Sequence, residues 1–166
     1  MFRMRKAASF ALLSVVSSLI LSSCGPTRGA VAASAAFGSC PVCHMKVKAS
    51  DDWAAEIHYK DQTKLMFESP GDMLAFYTSP REYAVDDAHK DLANIASIAV
   101  KDYQSKQPTD AQQAVFVYKS RVTGPMGADF LPFARRPDAE AFIAANGGTV
   151  LTLNEVTGAM ARDLRK

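Results

Sequence analysis

The sequence predicts an α+β protein, built as two small related strand–helix modules of ββαβ-like type that pack together. Short segments in which apolar and polar residues alternate indicate half-buried strands. Two segments carry a proline at a helix start, where its missing N–H is tolerated. An aromatic–acidic–aromatic pattern also occurs twice with the same spacing, which indicates an internal repeat. Its members are Phe67, Asp72 and Phe76 in the first copy and Phe133, Asp138 and Phe142 in the second.

The N-terminus has the features of a bacterial export signal. Residues 1–6 include three basic side chains and no acidic one, and residues 7–21 are apolar apart from serines. This combination is typical of a secretory signal and too short to span a bilayer comfortably. Leu21-Ser22-Ser23-Cys24 resembles a lipobox, which predicts removal of residues 1–23 and lipidation of Cys24. The alternative is an ordinary secretory signal with an incidental cysteine.

A flexible tether is predicted at residues 24–39, because Gly, Ala, Ser, Pro and Thr dominate it and cannot form a core. Gly25 follows the predicted lipidation site. Inner-membrane retention commonly uses Asp at that position, so Gly25 favours an anchor in the outer membrane, facing the periplasm. The body is assigned to residues 40–166, with modules at about 40–103 and 112–156.

The first module is expected to contain two strands, a helix and a third strand. Residues 53–60 alternate with a period of two, and residues 63–67 return as a second strand. Ser69 then fits the N-cap of a helix and Pro70 its first position. Residues 95–103 complete the module as a strand.

The second module repeats this order. A strand is predicted at residues 114–118, and residues 124–127 are predicted as an irregular loop because they contain two glycines and a proline. A helix begins at Pro137 and ends at residues 146–148, where glycines favour a left-handed termination. Residues 149–153 form the last strand.

Four potential metal ligands lie within six residues, in Cys40-Pro41-Val42-Cys43-His44-Met45. Cysteine and methionine sulfur favour Cu(I), whereas imidazole suits several metals. Cu(I) accepts a small number of such ligands, so this loop and one distant methionine can complete a site. Met126 is the candidate, because glycines near it allow close approach of backbone and metal.

Other interpretations of this segment remain open. A structural zinc site needs a closed set of four ligands, for which His58 or His89 would have to join Cys40, Cys43 and His44. The Cys-x-x-Cys pair also matches thiol–disulfide proteins, and with His44 it matches the c-type haem attachment signature. The alternating residues that follow are unlike the helices expected for either protein class. A plain disulfide or two free thiols are the least specific possibilities.

The composition excludes some functions. The chain carries 19 basic and 17 acidic residues, but three of the basic ones lie within the first six residues. The remaining chain is nearly neutral, which gives no electrostatic basis for nucleic-acid binding. A nucleophile elbow and a glycine-rich phosphate loop are both missing from the sequence. The protein is therefore not expected to be an enzyme.

The ordered set of motifs resembles the NosL family. The shared elements are Cys43-His44-Met45, residues 67–77, Gly124-Pro125-Met126-Gly127, Leu131-Pro132-Phe133 and residues 146–151. Together they cover roughly residues 40–156. Within this resemblance Cys43 and Met45 occupy the Cys-x-Met positions, and Met126 occupies the second methionine motif. His44 stands where the family often has glycine, and Cys40 is shared with some relatives only.

The resemblance implies a lipoprotein that binds Cu(I) and delivers it for assembly of nitrous oxide reductase. Its implied partners are that reductase and its membrane transporter and maturation apparatus. We expect delivery by ligand exchange, because a partner's sulfur or imidazole can attack an ion held by few ligands on an exposed loop. The predicted ligands are Cys43, Met45, Met126, Cys40 and His44.

Overall fold

The structure is a computed structural model that describes residues 37–84 and 86–165. The predicted signal, Cys24 and most of the tether lie outside these residues. The α-helices are α1 (Pro70–Thr78), α2 (Pro80–Tyr83), α3 (Arg136–Asn146) and α4 (Gly158–Asp163). The strands are β1 (Phe37–Ser39), β2 (Lys46–Lys48), β3 (Ala55–Tyr59), β4 (Lys64–Phe67), β5 (Ile95–Lys101), β6 (Pro108–Asp110), β7 (Val115–Tyr118), β8 (Thr123–Gly124), β9 (Gly127–Ala128), β10 (Leu131–Phe133) and β11 (Thr149–Thr152).

The first module is an antiparallel sheet in the order β4-β3-β5-β6, with α1 packed against β3 and β4. In β3 the side chains of Ala55, Ile57 and Tyr59 are buried, as the period of two predicts. Helix α1 begins as predicted: the Ser69 hydroxyl accepts from the Asp72 N–H and Pro70 takes the first position.

The second module is an antiparallel sheet in the order β10-β7-β11, covered by α3. Its core includes Phe133, which packs against the rings of Tyr103 and Phe142. Helix α3 ends as predicted, at Gly147 with a φ of 68°, a conformation that glycine adopts at little energetic cost.

Both modules follow the order strand, strand, helix, strand, which confirms the predicted α+β class with two related modules. A single group of buried side chains joins them, since Phe116 and Phe130 of the second half belong to the same core cluster as Phe67 and Phe76 of the first. Within residues 37–84 and 86–165, no helix has the length and apolar composition needed to cross a bilayer.

Two segments differ from the sequence prediction. Residues 37–39, assigned to the tether, form β1 and pair with β2. The boundaries of the remaining tether stay predictions. Residues 124–127, predicted as an irregular loop, form a tight hairpin in which β8 pairs with β9. That prediction was wrong because the chain reverses over Pro125 and Met126 alone, and Gly127, with a φ of 112°, already pairs with Gly124.

Candidate metal centre

The β1–β2 hairpin presents the Cys-x-x-Cys segment as a closed loop. The Cys40 N–H donates to the Met45 carbonyl at 2.9 Å, and the His44 N–H donates to the Cys40 carbonyl at 2.9 Å. His44 has a φ of 64°, in the left-handed region that favours glycine. Glycine would adopt this conformation at a lower energetic cost than histidine does.

The sulfur atoms of this loop lie close to a carboxylate group of helix α1. One ligand atom each from Cys40, Cys43 and Asp72 lies within 4.8 Å of the other two. Cys40 is fully buried, and its thiol donates to Asp72 Oδ2 at 3.3 Å. Cys43 is half-buried, and its thiol donates to Glu68 Oε2 at 3.5 Å. Both cysteines are free thiols.

Burial raises the pKa of both thiols above the ordinary value, and the nearby Asp72 carboxylate raises the pKa of each further. The thiols are therefore protonated at neutral pH when no metal is bound. A metal that binds here as a thiolate complex must displace protons.

Helix α1 supplies Asp72 from its first turn, and the chain terminus supplies a counter-charge. Asp72 is only 7% exposed, and its Oδ1 accepts from Arg165 Nη1 at 2.7 Å. From the sequence, Asp72 is a member of the repeat and a first-turn residue of the helix, and nothing there assigns it to a metal site. Its place at the site depends on the packing of the β1–β2 hairpin beside α1, for which the sequence contains no local signal.

Cys43 and Met126 both line a cavity of about 340 Å³. Asp72, Asp129 and Arg165 also line it. Met126 lies in the turn between β8 and β9 and is 63% exposed, so its thioether is accessible from solvent. Two loops that are distant in sequence thus line one cavity.

The remaining predicted ligands have different surroundings. Met45 is 48% exposed and His44 is also exposed, and neither belongs to the lining of the cavity. His58 Nε2 lies 2.8 Å from Glu56, and His89 Nδ1 lies 2.6 Å from Asp86. Among the described residues, neither histidine belongs to the group of possible ligands formed by Cys40, Cys43 and Asp72. The structure therefore does not place His58 or His89 where a zinc site would need its fourth ligand.

The local structure around the two cysteines also differs from the one expected for a thiol–disulfide protein or a c-type haem protein. A thioredoxin-like pair opens a helix after a strand, and the proteins that carry the haem signature are expected to be helical around it. Here the segment from Cys40 to His44 connects β1 to β2 instead.

Asp129 is a site residue that the sequence analysis missed. Its side chain is buried, and its Oδ1 accepts from the Gly71 N–H at 2.6 Å and from the Phe130 N–H at 2.7 Å. Burial raises the pKa of Asp129 to about 7. An aspartate next to a glycine-rich turn has no sequence signature that distinguishes it from a solvated loop residue.

The fold and the site define a class: a two-module α+β protein in which sulfur-containing side chains from two hairpins line one cavity. A family model described as NosL matches residues 32–161. The chain therefore belongs to the NosL family, which confirms the resemblance found in the sequence. NosL proteins are non-enzymatic, and the expectation that this chain is not an enzyme is confirmed by its membership.

The chain is also similar to individual proteins. The chain is 34% identical over 107 residues to the copper-binding lipoprotein NosL of Achromobacter cycloclastes, covering 58% of this chain and 51% of the relative. It thus spans about half the length of that curated relative. The crystal structure of the copper chaperone NosL from Shewanella denitrificans superposes with a TM-score of 0.59 at 27% identity, covering 73% of this chain and 90% of that one. A solution structure of apo-NosL from Achromobacter cycloclastes gives a TM-score of 0.46 at 29% identity, with coverage of 64% and 87%.

Proposed function

We propose that the chain is a copper chaperone that binds one Cu(I) as cargo through Cys43 and Met126, with Cys40 as a further sulfur ligand. The observation that carries this proposal is the shared cavity between Cys43 and Met126. The names of the matched relatives, which describe copper binding and a copper chaperone, support the same function.

The donor set fits a soft monovalent ion. Thiolate and thioether sulfur are soft ligands that select Cu(I) over hard cations. The carboxylate of Asp72 is a harder donor, and its pairing with Arg165 at 2.7 Å leaves it partly neutralised. Binding at Cys43 releases the thiol proton, since only the thiolate is a good ligand.

The exposure of the methionines fits transfer by ligand exchange. A thioether is a neutral, weak donor, and Met126 lies where an incoming partner can reach it. Met45 and His44 are exposed on the same loop as Cys43. In this proposal they contact the partner's ligands during transfer and complete the copper coordination while the ion moves.

We further propose the destination and the cellular location. The acceptor is the assembly apparatus of nitrous oxide reductase, including its membrane transporter. The lipobox-like segment ending at Cys24 supports an anchor in the bacterial envelope that faces the periplasm, and the curated relative is a lipoprotein. Gly25 supports the outer membrane as the location of the anchor.

Anaerobic competition of the protein against a Cu(I) chelator tests the site. Cys43→Ser and Met126→Leu should each weaken binding by at least about tenfold, since the first removes a thiolate and the second a thioether. Met160→Leu is the matched control, because Met160 is partly buried in α4 and is not assigned to the site. Wild-type affinity in both test variants would refute this ligand set, and a haem absorption band in the purified protein would support the electron-carrier interpretation instead.

A further inference from the structure

We propose that Asp129 is a positioning residue that fixes the Met126 hairpin against the first turn of α1, and thereby sets the separation between the Met126 thioether and the cysteine sulfurs. This inference rests on the proposed function, because it assigns a structural origin to the placement of one of the copper ligands.

The contacts of Asp129 join the two sides of the site. Asp129 directly follows β9, three residues after Met126. Its Oδ1 accepts from the N–H of Gly71, the residue that precedes Asp72 in α1, at 2.6 Å. One carboxylate thus connects the methionine hairpin to the helical turn that lies beside the cysteines.

The hairpin needs such an anchor. Strands β8 and β9 contain two residues each and pair only with each other among the described strands. An isolated two-stranded hairpin is at best marginally stable in water, even when it is longer than this. The position of Met126 must therefore be set by contacts outside the ladder, and Asp129 supplies one.

Two glycines leave room for the carboxylate. A Cβ at Gly71 would lie 2.5 Å from Asp129 Oδ1, and a Cβ at Gly124 would lie 2.7 Å from its Oδ2. Neither glycine has a positive φ, so these positions require glycine for space rather than for backbone conformation. The carboxylate is thus enclosed by α1 on one side and by β8 on the other.

The start of α1 offers hydrogen-bond donors to a side-chain oxygen at this point. The first N–H groups of a helix lack partners within the helix and carry partial positive charge, so a carboxylate there is stabilised. Asp129 is only 4% exposed, and a carboxylate at that depth needs hydrogen bonds to offset its lost hydration. The amides of Gly71 and Phe130 and the side chain of Ser69 supply them.

The test compares Cu(I) affinity in the full-length protein. Asp129→Ala removes the anchor and should weaken Cu(I) binding by about tenfold, the usual scale for groups that orient a metal ligand. Asp129→Asn should retain most of the affinity, since the amide oxygen still accepts from Gly71. Gly124→Ala displaces the hairpin while Asp129 is intact, and should also weaken binding. It keeps the test valid if Asp129→Ala does not fold.

The matched control is Asp102→Ala. Asp102 is a second buried carboxylate that joins loops, accepting from the N–H groups of Ser105 and Ala134 at 2.7 and 2.9 Å, but it does not line the cavity. Its substitution should leave Cu(I) affinity unchanged even if it lowers stability.

Two further measurements separate positioning from general destabilisation. With Met126→Leu present, Asp129→Ala should weaken binding by less than about threefold, because the two residues act on one ligand. In the metal-free protein, Asp129→Ala should accelerate hydrogen exchange at residues 123–128, and Asp102→Ala should not.

Several results would overturn the proposal, and they can be told apart. If Met126→Leu weakens binding but Asp129→Ala and Gly124→Ala do not, the positioning role is wrong and the copper site stands. Equal losses from Asp129→Ala with and without Met126 also contradict it. If Met126→Leu has no effect while the exchange pattern is as expected, Asp129 still anchors the hairpin. In that case the ligand assignment of Met126 fails, and the positioning role for copper fails with it.

Discussion

The starts of helices α1 and α3 occupy equivalent places in the two modules but differ in their surroundings. Asp72 in α1 is buried and contacts the thiol of Cys40 and the guanidinium of Arg165. Its counterpart in the repeat, Asp138 in α3, accepts two hydrogen bonds from the exposed side chain of Arg135 at 2.7 and 2.6 Å. One aspartate is therefore part of the site, and the other forms a surface ion pair.

The N-terminal N–H groups of the two helices also differ in the side chains that accept hydrogen bonds from them. In α1, the Ser69 hydroxyl and the Asp129 carboxylate accept hydrogen bonds from them. In α3, Arg135 occupies the N-cap position, and its side chain accepts no hydrogen bond from the N-terminal amides of the helix. The repeat thus provides a common framework, and the site arises where hairpin β1–β2 packs against β4 of the first module. The order of strands and helices that the two modules share is therefore not sufficient to form the candidate metal centre.

The largest expected difference concerns stability. Phe76→Ala should lower the free energy of unfolding by about 3–5 kcal/mol, because Phe76 is fully buried in the shared core. Phe142→Ala, at the equivalent position, should have a smaller effect because Phe142 is only partly buried. Denaturant unfolding of the two variants measures both values. Equal losses of unfolding free energy would contradict the difference in burial between Phe76 and Phe142.

The pH dependence of the free energy of unfolding should reveal the titration of Asp129, the buried carboxyl group that contacts the start of α1. Because the pKa of Asp129 is raised to about 7 in the fold and is near 4 when unfolded, the folded state holds an extra proton between these values. The stability that Asp129 contributes is present below about pH 4 and is lost as the pH rises through 7. We expect a change on the order of 2–4 kcal/mol over this interval.

The control for that pH dependence is Asp129→Asn, which should flatten the curve in metal-free protein. Asp102 should act in the opposite direction, because amide and hydroxyl hydrogen bonds lower its pKa despite its burial. Its contribution is present above the unfolded pKa and is lost as the pH falls. A wild-type curve that matches Asp129→Asn from pH 4 to 7 would contradict the proposed burial of this carboxylate.

Substitution of the two equivalent aspartates should have smaller effects. Asp72→Ala should lower the free energy of unfolding by about 1–3 kcal/mol, since it leaves Arg165 without its partly buried partner. Asp138→Ala removes only a surface pair and should cost less than about 1 kcal/mol. Thermal or chemical unfolding provides the comparison. If Asp138→Ala is the more destabilising, the distinction between the two helix starts is wrong.

Much of the framework was predictable from local sequence. Period-two alternation located β3, and Ser69 with Pro70 located the start of α1, because these signals act within a few residues. The soft character of Cys43 and Met126 also predicts a shared copper site, which stays a prediction; both residues line one cavity.

The rest depends on contacts between distant segments. Arg165 lies 93 residues from Asp72 and Asp129 lies 58 residues from Gly71, and neither pair has a spacing pattern. Strand β1 has the composition of a tether, and it forms a strand only because β2 pairs with it. Pairing of this kind adds hydrogen bonds that single-segment propensity does not contain.

X-ray absorption spectroscopy of the copper-loaded protein tests the shared site most directly. Wild-type protein and Met126→Leu should be loaded anaerobically with one equivalent of Cu(I) and compared for the number of sulfur neighbours. We expect Met126→Leu to lose one copper–sulfur contact while the contacts to cysteine remain. An identical sulfur shell in the two proteins would show that the hairpin methionine does not bind the ion that Cys43 holds.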